Sequence, residues 1–127
     1  MLSSYTPVAT LPVSDLTKGR AFYENTLGLS VDRDGPGGVS YTCGSGTLFV
    51  YESTYAGTNK GTAVSFDVPV SDFDSEVDEL RAKGIEFMTF EMDGSDWNDG
   101  VASMGEVKAV WFTDPDGNIL NVSAGEM

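Results

Sequence analysis

Val13-Ser14-Asp15-Leu16 returns 57 residues later as Val70-Ser71-Asp72-Phe73, and Leu27-Gly28-Leu29 returns loosely as Lys83-Gly84-Ile85. Each copy of the first word follows a β-rich run, residues 8–13 and then 62–68, and sets Ser-Asp where a helix needs an N-cap. Leu16, Ala21, Phe22 and Leu27 then mark one face of a helix, as do Phe73, Val77 and Leu80. Gly28 and Gly84 stop the two helices, because glycine takes the left-handed conformation at a helix end at no steric cost.

Working outward from the two words, the same order of elements appears twice. After the first helix, strands are expected at 29–32, 39–43 and 47–52, separated by the turn-rich stretch 34–38 and by Gly44-Ser45-Gly46. After the second, strands are expected at 85–90, 109–112 and 119–122, with residues 92–106 as a long polar loop and 114–118 as a turn. Neither unit can bury both faces of so small a sheet alone. The expected fold is therefore α+β: one domain over residues 1–127, made of two βαβββ modules at about 5–53 and 61–124, forming a concave mixed sheet with helices outside.

The bulk properties agree with one domain and exclude several functions. The chain has 127 residues, 40% of them hydrophobic, which suffices for a core without disulfides or metal staples. Seven Lys and Arg against 20 Asp and Glu leave a net charge of −13, which repels nucleic acid and anionic membranes. No apolar run approaches the roughly 20 residues of a membrane span, and residues 1–7 lack the features of a signal peptide, so the chain is read as a mature protein. The single Cys43 fits a reducing, cytoplasmic setting and is read as a buried structural thiol, because no base is near it in sequence. Zero histidines remove the commonest ligand of catalytic zinc, iron and copper.

Four stretches carry a family resemblance: Leu11-Pro12-Val13-Ser14-Asp15-Leu16; Ala21-Phe22-Tyr23-Glu24-Asn25-Thr26-Leu27-Gly28-Leu29; Phe66-Asp67-Val68 with the helix running to Gly84; and Trp111-Phe112-Thr113-Asp114-Pro115-Asp116-Gly117-Asn118. In this combination the chain resembles the vicinal oxygen chelate superfamily, which contains glyoxalase I, bleomycin-resistance proteins and extradiol dioxygenases. The resemblance implies metal ligands at positions that here hold Val8, Phe49, Ala63 and Asn121. Metal catalysis is accordingly not carried over, and neither a metal nor another cofactor is expected.

Residues two apart on a strand share a face. In step with those four positions, Val8, Thr10, Phe49, Tyr51, Ala63, Ser65 and Asn121 are the candidate ligand-binding residues, accompanied by Pro12, Asp67, Ile119 and Ser123. Trp97 is the candidate lid residue from the long loop, or else an aromatic anchor of that loop. Apolar walls with hydroxyls and one amide suit a small-molecule pocket, although the same residues also suit a filled core.

The leading expectation is a homodimer that binds or sequesters a small aromatic or cationic molecule, an antibiotic or metabolite, as the resemblance to bleomycin-resistance proteins implies. The alternative is a small-molecule lyase, isomerase or dioxygenase-like enzyme without a protein-held metal or with a non-standard metal site, using Asp67 or Tyr51 as acid or base. The acidity is uneven, with 15 Asp and Glu in residues 67–127 against Arg81, Lys83 and Lys108. It reads either as a solvated face or as attraction of a cationic ligand.

Overall fold

A computed structural model describes residues 1–125. The fold is α+β with two mixed sheets and few helices, and the chain divides into two compact units. The first comprises residues 1–63 together with Asp114–Asn118; the second comprises Val64–Thr113 and the segment from Ile119 onward.

In the first unit a short 3-10 turn, Leu2–Ser4, precedes β1 (Ala9–Val13), α1 (Leu16–Arg20), β2 (Ser30–Gly35), β3 (Gly38–Cys43) and β4 (Gly46–Glu52). The sheet order is β1-β4-β3-β2, with β1 parallel to β4 and the other pairs antiparallel. Pro12 is tolerated because β1 lies at the sheet edge, where no second ladder is lost. Asp15 caps α1 as expected, its carboxylate accepting the Lys18 N–H at 3.2 Å. Gly19 is buried against Val13, whose methyls would lie 3.1 Å from a Cβ at that position, so the missing side chain lets the helix approach the sheet.

The helix then widens into a π turn, Ala21–Thr26, in which Leu27 donates to the Phe22 carbonyl at 2.9 Å. The extra residue rotates the face away from a 3.6-residue period. Tyr23 becomes fully buried and Ala21 is exposed, which corrects the expected inclusion of Ala21 in the apolar face. Gly28, at φ 73°, ends the segment as expected.

The rest of the chain forms β5 (Thr62–Asp67), whose first two residues fall in the first unit, then α2 (Val70–Ala82), β6 (Asp96–Asn98), β7 (Val101–Met104), β8 (Val107–Thr113) and β9 (Ile119–Ala124), with sheet order β5-β9-β8-β7-β6. Phe73 and Val77, one turn apart, are the buried residues of α2. The helix starts earlier than its Ser71-Asp72 signal: Pro69 is the N-cap and Asp72 lies in the first turn, where a carboxylate favours the positive end of the helix dipole. Gly84, at φ 87°, ends it; Ile85 donates to Leu80 and Gly84 to Arg81, which satisfies the last carbonyls.

Two expectations fail here. Residues 85–90 form no strand, although Met88 donates to the Trp111 carbonyl at 2.8 Å. The expected loop at 92–106 contains the β6–β7 hairpin, whose turn residues Asp99 and Gly100 have φ 51° and 81°. Positive φ at both positions is the two-residue hairpin geometry that Asp-Gly favours. Among the described residues no helix is long and apolar enough to cross a membrane.

Candidate functional site

In the first unit, alternate residues sort into two faces. Leu11, Val13, Val39, Tyr41, Leu48 and Val50 are buried, while Thr10 pairs with Phe49, Phe49 with Ser40, and Pro12 with Tyr51 on the opposite face. Phe49 and Tyr51 are half-buried, and their rings stack nearly parallel, 6.0 Å apart at 10°. A Cβ on Gly38 would lie 2.8 Å from Phe49 Cζ, so the Phe49 ring lies across a position that only glycine leaves open. Val8 precedes β1 and is 49% exposed. Thr10 is exposed, and its hydroxyl donates to the Val8 carbonyl at 3.1 Å. On β5, Ala63 is half-buried, whereas Ser65 and Asp67 are exposed.

In the second unit, Trp111 stands opposite Asn121, Ala109 opposite Ser123 and Ala102, and Ala102 opposite Trp97, so these side chains share a sheet face. Trp97 is not on a free loop: it belongs to β6 and packs against Phe90 and Trp111, with ring centroids 5.4 and 6.0 Å away. Phe90 and Trp111 are 4.9 Å apart and inclined at 73°. The cluster is half-exposed, and the sequence adjoining Phe90 and Trp97 carries the exposed acids Glu91, Asp93 and Asp96. Asn121 is buried, and its Nδ2 donates to the Val110 carbonyl at 3.1 Å. Nearby in sequence, the Ser95 hydroxyl oxygen is buried without a hydrogen-bond partner. Trp111 and Phe90 lie outside the candidate residues, although Trp111 stands directly opposite the candidate Asn121 on the neighbouring strand.

Two polar networks lie outside the expected residues. The Tyr23 hydroxyl donates to Asp114 at 2.7 Å, and Asn118 Nδ2 donates to both Asp114 and the Pro12 carbonyl at 2.8 and 2.7 Å. Burial, reinforced by the Asp114 charge, raises the Tyr23 pKa far above the ordinary tyrosine value. In the second network, Glu24 accepts hydrogen bonds from Arg20 at 2.6 Å and from the Tyr41 hydroxyl at 2.9 Å, and Arg20 also reaches Asp34 at 2.7 Å. The Arg20 hydrogen bond holds Glu24 below the usual carboxylate range. Burial and the Glu24 contact raise the Tyr41 pKa. Burial also raises the half-buried Cys43 thiol, which opposes thiolate formation.

Residues 6–122 match the Glyoxalase/Bleomycin resistance protein/Dioxygenase superfamily. Among solved structures, the genomically encoded fosfomycin resistance protein FosX from Listeria monocytogenes has a TM-score of 0.72 at 18% identity, covering 97% of this chain and 94% of its own. A glyoxalase/bleomycin resistance protein/dioxygenase from Alicyclobacillus acidocaldarius has a TM-score of 0.71 at 16% identity, covering 94% and 90%. A lactoylglutathione lyase from Agrobacterium tumefaciens has a TM-score of 0.68 at 21% identity, covering 96% and 94%. Comparison with curated proteins gives no match. At these identities the structures share a fold, and the match over residues 6–122 shows that the chain belongs to the Glyoxalase/Bleomycin resistance protein/Dioxygenase superfamily.

Proposed function

We propose that the chain binds a small aromatic or cationic molecule without a protein-held metal. The single observation that carries this reading is the half-exposed Phe90–Trp97–Trp111 cluster at the second sheet. Three rings at 4.9–6.0 Å, inclined to one another by 50–73°, form a packed cluster whose exposed ring surface offers edge-to-face or offset contact to an aromatic ligand. The exposed acids Glu91, Asp93 and Asp96 close in sequence to Phe90 and Trp97 favour a positive charge on that ligand, and the net charge of −13 adds a long-range attraction. The stacked Phe49–Tyr51 pair offers the first unit a second aromatic surface of the same chemistry.

The donor set supports the metal-free part of the reading. A divalent ion needs roughly three or four anionic or imidazole donors. Val8, Phe49 and Ala63 have no donor side chain, which leaves the neutral amide oxygen of Asn121 as the one side-chain donor at these four positions. Among the described residues no three Cys, Asp or Glu gather into a group able to hold a metal. The residues at the family's ligand positions do not fit the ion. The homodimer and cytoplasmic setting expected from the sequence belong to the same proposal.

The test is calorimetric titration with three matched probes: naphthylmethylammonium, naphthol and naphthalenesulfonate. The reading expects the ammonium probe to bind best and the sulfonate worst, with salt narrowing the gap. Both tryptophans of the chain lie in the cluster, so fluorescence quenching should track the heat. Phe90→Ala should weaken the ammonium probe about threefold to tenfold. Equal affinity for all three probes, or binding that leaves tryptophan emission unchanged, contradicts the reading.

A further inference from the structure

A second concavity lies in the same unit, between the end of α2, the irregular segment after it and the β6–β7 turn, and it shares no lining residue with the aromatic cluster. It is an open cavity of about 360 Å³, within the range of small-ligand sites. Arg81, Glu86, Asp99 and Thr89 supply its polar groups, and Ile85 and Phe87 its apolar surface.

Arg81 is fixed in place. Its guanidinium carbon stands 5.3 Å from the Phe87 ring centroid, and its Nη2 donates to the Asp99 carbonyl and lies 3.5 Å from the Asp99 carboxylate. Those Asp99 contacts use one nitrogen of a group that carries five N–H donors in a fork. Gly100 keeps the wall open, since a Cβ there would come within 3.1 Å of Phe87 Cβ and the backbone sits at φ 81°.

The lining charges select the ligand. A plain anion would meet Arg81 but also Glu86, Asp99 and the net charge of −13. A plain cation would meet Glu86 and Asp99 but would leave the unused N–H donors of Arg81 without an acceptor. A molecule carrying both charges a few ångströms apart answers both, and an apolar side chain would rest on Ile85 and Phe87. We propose that this cavity binds a free α-amino acid with an apolar side chain, its carboxylate on Arg81 and its ammonium on Glu86.

The experiment is calorimetry of the full chain with L-leucine and L-phenylalanine, each compared with its N-acetyl and its amide derivative. The free amino acids should bind, and blocking either charge should cost about tenfold or more in affinity. Glu86→Gln, at an exposed position in an irregular segment, should weaken the free amino acid and its amide while leaving the N-acetyl form unchanged. Arg81→Gln should abolish binding of the free amino acid. Absence of binding at millimolar concentration, equal binding of the N-acetyl derivatives, or unchanged affinity in Glu86→Gln overturns the proposal. Tryptophan emission keeps this test separate from the aromatic site, because neither tryptophan lines the cavity.

Discussion

The hydroxyl of Tyr23 donates a 2.7 Å hydrogen bond to the carboxylate of Asp114, joining a π-helical turn to a loop 91 residues away. Asp114 also accepts the backbone N–H groups of Asp116 and Asn118 and the Asn118 side chain. These bonds hold the Asp-Pro-Asp-Gly-Asn turn against the first unit. Tyr23→Phe removes one bond to a buried charge and should cost about 1–3 kcal/mol, read from urea unfolding.

The same tyrosine sets an alkaline limit. Its folded pKa is raised, so its contribution is complete below the unfolded tyrosine pKa of about 10 and is lost as pH rises beyond it, because only the unfolded chain releases the proton readily. Tyr41 acts in the same direction. Stability should fall steeply above about pH 10, and the fall should be shallower in Tyr23→Phe; an unchanged slope would place the effect elsewhere.

At the acid end the sign reverses. Glu24 is held below its ordinary pKa chiefly by the Arg20 hydrogen bond, so its contribution is present above the unfolded carboxylate range and is lost as pH falls through the lowered folded value. The pair is partly exposed and screened, so Glu24→Gln should cost no more than about 1 kcal/mol at neutral pH. Its clearer mark is a smaller loss of stability on acidification, measured by thermal unfolding across pH.

Gly38 sits at φ 147° beneath the Phe49 ring and against the Val50 carbonyl. Gly38→Ala should therefore destabilise the first unit by about 2 kcal/mol or more, through backbone strain and overpacking together. Gly44→Ala, at φ 55° with open space around it, meets strain alone and should cost less. Denaturant midpoints of the two variants decide the order.

Asn121→Leu removes the amide donor to Val110 from a buried position beside Trp111. A loss of about 1 kcal/mol is expected from the missing hydrogen bond. Weaker binding of naphthylmethylammonium beyond that modest loss would put the amide within reach of the ligand; unchanged affinity would leave Asn121 with a packing role.

The period of two along strands made the shared face of Thr10, Phe49 and Tyr51 legible, and the Ser-Asp and glycine signals located both helices. The π turn was not legible, because an inserted residue leaves no mark in composition, and so the face expected from a 3.6-residue period includes the exposed Ala21. The β6–β7 hairpin was hidden by its polarity, although Asp99-Gly100 between Asn98 and Val101 is a hairpin signal. Trp97 was consequently read as a loop residue instead of a strand residue packed on Phe90 and Trp111. The bond from Tyr23 to Asp114 depends on tertiary packing and has no local signature.

The central claim is a family member that holds an aromatic or cationic small molecule with no metal of its own. Native mass spectrometry of protein purified from the organism that makes it, paired with elemental analysis, tests this most directly. The account predicts a metal-free species, dimeric and carrying a small-molecule adduct whose mass identifies its class. Stoichiometric zinc, iron or manganese retained through purification would contradict it.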